Sequence, residues 1–244
     1  MPEVGEPLAG GSMNAPVRFD DRVHRVAGPW TPTVHALLRH VRDRGVVVLP
    51  EVLGMDDEGR EVLTFLPGVV PAYPMPGFVW TDENLEASGR LLRAVHDATA
   101  GFELAGRTWQ LPAHEPVEVV CLNDVAPYNM VFVDGRVTGL IDIDTASPGP
   151  RVWDLAYLAY RLVPIASPGN PDLPAPSAPE LRRRLALLCA AYGDVDPEAV
   201  LAVVPERLLE LAAFTEARAG ERPELAAHAR MYRTDAAWAA SVRC

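Results

Sequence analysis

The dipeptide Asp134-Gly135 separates two apolar runs, MVFV and VTGLI, and no other short stretch constrains the fold as tightly. Asp-Gly supplies the two positive-φ residues of a tight hairpin turn, whose twist matches that of the strands it joins. A hairpin closed there carries the start of its first strand beside the end of its second. Asn129 precedes the first strand and Asp142 follows the second, so the two share one open end. Asp124 stands five residues before Asn129, just after a further apolar run, VEVVCL, and is brought to the same place.

Around this hairpin the chain changes character. Residues 14–27, NAPVRFDDRVHRVA, read as two short strands joined at Asp20-Asp21. Thr31 or Thr33 caps a following helix with Pro32 in its first turn; Val34, Leu37, Leu38 and Val41 form its apolar face, and Gly45 ends it. Residues 46–66 read as a strand, a second strand, a turn, and a last strand from Glu61 to Leu66 that Pro67-Gly68 halts. The Pro-rich, aromatic segment 69–80 reads as a hinge. Beyond it come a helix capped by Thr81, the hairpin, and helical patterns at 178–192, 197–219 and 223–241; the proline-rich residues 166–179 read as a loop. The expectation is an α+β chain: residues 1–68 form a small β-rich lobe with one helix, and residues 69–244 a larger, mostly helical lobe.

Composition removes several classes of function. The net charge of −11 argues against a nucleic-acid surface, which needs clustered cations to displace phosphate counterions. All 22 basic residues are arginine, so no mechanism here uses a lysine. The 3 cysteines, Cys121, Cys189 and Cys244, have neither metal-site nor disulfide-framework spacing. Neither a signal peptide nor a membrane span is expected, which leaves the cytoplasm as the default and no membrane partner; the oligomeric state is open. His24, His35, His40 and His96 read as surface or packed residues, Arg182-Arg183-Arg184 as a solvated helix face, and Glu206, Glu210, Glu216 and Asp235 as a solvated face in preference to a substrate pocket.

Asp124, Asn129 and Asp142 together make a carboxylate-amide-carboxylate group, the hard-oxygen donor type that Mg²⁺ prefers. A carboxylate left free of metal can accept a proton from an alcohol. Taken singly these residues also suit a plain turn; their register with Asp142 and with Trp153-Asp154 is what points to a site.

LNDVAPYN, followed by LIDID and WDLAY, resembles the aminoglycoside phosphotransferase and choline-kinase-like family of small-molecule kinases, which shares the two-lobed protein-kinase-like fold. The resemblance implies Asp124 as the base that takes the substrate hydroxyl proton, Asn129 and Asp142 as Mg²⁺ ligands, Pro127 as the loop proline and Asp154 as a buried brace. Asp144 either supports the site from behind or caps the next turn. In the first lobe, Gly10-Gly11-Ser12 is a candidate phosphate-covering loop beside its plain reading as a flexible turn. The backbone of Thr64, Phe65 and Leu66 is placed to bind adenine, and Arg25 stands at the position of the phosphate-binding lysine. The chain departs from the family pattern at three points: arginine replaces that lysine, the helix at 32–44 has Asp43 as its sole acid, and Leu122 and Asn123 stand where the family has His and Gly. Leu122 fills the histidine's space and leaves a buried partner such as Asp154 one donor short. The implied function is phosphate transfer from ATP or GTP with Mg²⁺ to a small-molecule hydroxyl, a cationic acceptor fitting the acidic chain. The alternative is a degenerate member that binds a nucleotide or metabolite without catalysis and acts through a partner or by regulation.

Overall fold

The computed structural model describes residues 5–8, 16–193, 195–220, 222 and 224–242. The N-terminal strands are β1 (Glu6–Pro7), β2 (Val17–Phe19) and β3 (Arg22–Val26). β2 and β3 pair antiparallel with Phe19 opposite Arg22, and Asp20 takes a φ of 52° in the turn between them, as the sequence leads one to expect. Helix α1 (Thr31–Asp43) buries Val34, Leu37, Leu38 and Val41. Its N-cap is Trp30, which makes no side-chain cap; Thr31 sits one position later and its hydroxyl accepts from the Gly28 N–H at 2.9 Å. The strand expected at 46–50 does not form. The Val46 N–H turns back to the Val41 carbonyl to close α1, and Pro50 has no N–H to give a ladder.

Two further strands, β4 (Val52–Met55) and β5 (Arg60–Thr64), complete a five-stranded sheet in the order β1-β2-β3-β5-β4. β5 ends two residues short of its expected limit. Helix α2 (Asp82–Thr99) follows, with the Thr81 hydroxyl accepting from the Asn84 N–H. Then come β6 (Val119–Cys121), β7 (Met130–Val133), β8 (Arg136–Leu140) and β9 (Ser147–Gly149). β7 and β8 are the expected hairpin, with Asp134 and Gly135 at φ of 51° and 74°. β9, which pairs with β6, is not anticipated from the sequence. The remaining helices are α3 (Arg151–Leu162), α4 (Ala178–Tyr192), α5 (Pro197–Glu216) and α6 (Glu224–Ala239). No described helix is long and apolar enough to cross a membrane.

The chain divides into two compact units, Met1–Ala72 with Ala94–Pro150 and Tyr73–Arg93 with Arg151–Cys244. Among the described residues, the first holds the nine strands and α1. One close approach within it matters for the site: the Leu140 N–H donates to the Val48 carbonyl at 2.9 Å, so segment 46–50 lies along β8. A Cβ on Gly139 would meet that same carbonyl oxygen at 2.9 Å, so glycine is required there.

The second unit is helical and holds buried charges that the sequence reading assigned to solvent or did not single out. Asp235 on α6 is fully buried; its carboxylate accepts from the Tyr160 hydroxyl, the Ser167 N–H and hydroxyl, and the Asn170 amide. Arg184 is likewise buried, donating to the Trp80 and Leu162 carbonyls and to Asp82, while Arg182 and Arg183 stay exposed. Arg161 on α3 lies among the hydroxyls of Tyr73, Tyr157 and Tyr232. Helical periodicity alone does not separate such satisfied charges from a solvated face. Asp235→Ala leaves four donors without their acceptor and should lower stability by about 3 kcal/mol or more, read as a fall in urea midpoint with an unchanged m-value.

Candidate functional site

The loop after β6 is built to hold Asp124 still. Asn123 has a φ of 65°, a left-handed conformation that asparagine tolerates better than other non-glycine residues. That is how Asn substitutes for the glycine of the family pattern. Its side chain also donates to the Thr145 carbonyl at 2.7 Å and the Ser147 hydroxyl at 2.8 Å. The Leu122 carbonyl in turn accepts from the Thr145 hydroxyl at 3.0 Å. The loop is therefore fastened to segment 145–147 by Asn123 and Thr145, while Leu122, 2% exposed, fills apolar space.

Pro127 opens a single 3₁₀ turn, Pro127–Asn129, which swings Asn129 back toward Asp124. The Asn129 amide nitrogen donates to the Asp124 carbonyl at 3.0 Å and to its carboxylate at 2.9 Å. Two acceptors on one end of the amide fix its orientation, and Oδ1 is left as a donor atom for a cation. The other Asp124 carboxylate oxygen accepts from the Tyr128 hydroxyl at 2.8 Å, a contact that the sequence reading missed. The only signal was an aromatic hydroxyl four residues on, which is weak without the 3₁₀ turn that presents it.

The hairpin performs the juxtaposition that its turn implies. The Ile141 N–H donates to the Asn129 carbonyl at 2.9 Å, placing Asp142 next to Asn129. Asp124 and Asp142 line one small void with Leu122 and Leu140. Asp142 itself has a φ of 61°, a strained conformation for an L-residue and one that clusters at functional positions. Burial pushes its carboxyl up to about 6, with the charges of Asp144 and Asp124 adding to the effect and Arg25 opposing it.

Arg25 on β3 joins this cluster. Its Nη1 lies 3.1 Å from Asp142 Oδ1 and its Nη2 2.5 Å from Asp144 Oδ1. Its Nε lies 2.6 Å from Glu61 Oε1 on β5, an ion pair by distance with the N–H off line. Burial works against the guanidinium charge, and Asp144, Glu61 and Asp142 more than offset it, so its pKa is raised. Glu61 is 1% exposed, and its second oxygen lies 2.9 Å from His35 Nε2 on α1. The acid that pairs with the basic residue thus comes from the neighbouring strand, and the helix contributes a histidine. His35 and Glu61 were not singled out as site residues, because their pairing depends on the sheet register, Arg25 opposite Glu61.

Asp144, 5% exposed, pairs with Arg25. Asp154 lies in the other compact unit, fully buried in the first turn of α3, where a carboxylate suits the helix dipole. At the end of β5 the Thr64 N–H donates to the Glu51 carbonyl and the Phe65 N–H to the Asp21 carbonyl. Of these three amides, only that of Leu66 has no hydrogen bond among the described residues. Ser12 lies outside the described residues.

The donor set suits Mg²⁺: Asn129 Oδ1 and the Asp142 carboxylate oxygen not paired with Arg25 are hard oxygen atoms on adjacent backbone that could hold the ion. Two stability predictions follow from the geometry. Asn123→Ala should cost more than Asn123→Gly by about 1 kcal/mol, because both lose the two side-chain bonds and only alanine resists the left-handed φ; urea titration of the two variants measures the difference. For Asp142, a folded pKa raised from 3.8 to about 6 means the folded chain keeps a proton that the unfolded chain has lost between those values. The group's contribution to stability therefore declines as pH rises from about 4 to about 6. Asp142→Asn should melt higher than the unsubstituted protein at pH 8, and the gap should close at pH 4.

The family model of the phosphotransferase enzyme family matches residues 102–188. The chain is 36% identical over 160 residues to a trifolitoxin immunity protein of Rhizobium leguminosarum bv. trifolii; the alignment takes in 63% of this chain and 60% of that protein. The match thus spans under two thirds of that relative's length. A choline/ethanolamine kinase family protein from Mesorhizobium loti superimposes with a TM-score of 0.66 at 18% identity, covering 98% of this chain and 88% of that one. The GDP complex of aminoglycoside 2'-phosphotransferase-IIIa does so with a TM-score of 0.62 at 14% identity, covering 96% and 92%. At such identities the structural likeness is one of fold. The chain has the α+β, protein-kinase-like fold of these phosphotransferases, and the family resemblance carried by LNDVAPYN and LIDID is shown by the phosphotransferase family match over residues 102–188.

Proposed function

We propose that this protein is a nucleotide-dependent phosphotransferase that moves a phosphoryl group from ATP or GTP to a hydroxyl of a small molecule. The observation that carries this reading is the convergence of Asp124, Asn129 and Asp142 at one end of the β7–β8 hairpin. Asp124 is the base that accepts the hydroxyl proton of the acceptor. Tyr128 and Asn129 hold one carboxylate oxygen each, which fixes the carboxylate's orientation and leaves a second lone pair on each oxygen for the proton. Asn129 and Asp142 hold Mg²⁺, which when bound neutralises charge on the phosphates. Arg25 keeps one further N–H on each terminal nitrogen, able to reach a phosphate oxygen while its carboxylate contacts persist. The Leu66 amide is the backbone donor offered to the base of the nucleotide. A net charge of −11 favours encounter with a cationic acceptor such as an amino sugar or amino alcohol.

A second reading draws on Arg25. Its three nitrogens all face carboxylates, as befits a chain that holds a nucleotide without transferring phosphate. The relative's name links it to immunity against trifolitoxin, an outcome that either modification or sequestration of a toxin would produce.

One experiment separates the two. The unsubstituted protein should transfer labelled γ-phosphate to at least one member of a library of amino sugars and amino alcohols. Asp124→Asn should lower that turnover by about 10²–10⁴-fold while retaining nucleotide affinity within about twofold. Transfer that survives Asp124→Asn overturns the base assignment; tight nucleotide binding with no transfer across the library supports the second reading.

A further inference from the structure

Each nitrogen of the Arg25 guanidinium lies within ion-pair distance of a carboxylate, and its position is enforced from beneath. Glu61, 1% exposed, lies against the Arg25 guanidinium with one oxygen and the His35 ring with the other. Moving Arg25 away would leave Glu61 short of its cation in the core, a change that costs several kcal/mol in typical proteins. On its outer side the same guanidinium spans Asp142 Oδ1 and Asp144 Oδ1. A planar fork with two parallel donor nitrogens can bridge two carboxylates in this way, one nitrogen to each.

Kinases of this fold generally use two divalent cations, held by an aspartate and an asparagine and bridging the phosphates. A divalent ion lying between Asp142 and Asp144 would need carboxylate oxygens at about 2.0–2.1 Å, within the space that the guanidinium fills. Asn129 Oδ1 and the second oxygen of Asp142 lie outside the Arg25 contacts. With water and phosphate oxygens completing an octahedron, that is a ligand set for one Mg²⁺.

We infer that Arg25 stands in for one of the two divalent cations, so that the site takes a single Mg²⁺ with its nucleotide. This rests on the phosphotransfer reading above and extends it. The chain then supplies one unit of positive charge permanently, at a fixed place, from a group that stays protonated at every working pH.

The test is a count of Mn²⁺ bound per chain, by electron paramagnetic resonance, on the full chain saturated with a non-hydrolysable ATP analogue. One Mn²⁺ per chain, without Mn–Mn spin coupling, is expected. Two coupled Mn²⁺ ions would overturn the inference and leave the phosphotransfer reading intact. No Mn²⁺ and no retained nucleotide would overturn both. Arg25→Gln removes the cation from between the two carboxylates, so its count should rise from one to two; a count that stays at one shows that Arg25 is not what excludes the second ion. Where Arg25→Gln does not fold, the count on the unsubstituted protein decides alone.

Discussion

A carboxylate as enclosed as Glu61 must be paired, and that requirement organises the first compact unit. β3 and β5 are in register with Arg25 opposite Glu61, so the pair forms as the sheet forms. α1 then brings His35 to the other Glu61 oxygen, which ties the helix to the sheet through a polar contact as well as its apolar face. Once fixed, the outer edge of the guanidinium attracts Asp142 and Asp144, and the segment after β8 is drawn to β3. A buried ion pair of this kind contributes little net stability, because desolvation offsets most of the attraction. Its effect is to specify which strand, helix and loop meet.

The catalytic-type loop shows how a departure from a family pattern can be absorbed by its neighbours. Leu122 brings no donor, and the adjacent Asn123 brings two hydrogen bonds to segment 145–147 together with the left-handed backbone that the turn requires. Apolar packing at one residue and polar fastening at the next divide what a histidine and a glycine do in the family pattern. The two substitutions make sense as a pair, since Leu122 alone would leave the loop less firmly held.

The sequence was most legible where local chemistry dictates geometry. The Asp134-Gly135 turn forced the hairpin and thereby put Asn129 beside Asp142, and the apolar stripe of α1 marked its buried face. What stayed hidden depends on long-range register or on full enclosure. Glu61 finds Arg25 across a sheet whose strand order is not written in either segment. α3 has every residue from Trp153 to Leu162 buried, so it has no polar face to reveal a helical period. Asp235 and Arg184 sit at ordinary helical spacing, and only their partners on distant segments distinguish them from surface charges. β9 is a three-residue strand, Ser-Pro-Gly, whose composition reads as a turn.

The hairpin has unequal tolerance along its length. Its turn projects Val133, Asp134 and Arg136, exposed or half-exposed residues, so length can change there without disturbing the tie between Asn129 and Ile141 at the other end. Its strands have no such freedom: one residue gained in β8 would reverse the face of every position after it and carry Asp142 to the far side of the ribbon. Variation among chains built this way should therefore gather at the tip, while the lengths of β7 and β8 stay locked to the spacing of Asn129 and Asp142 at their open end.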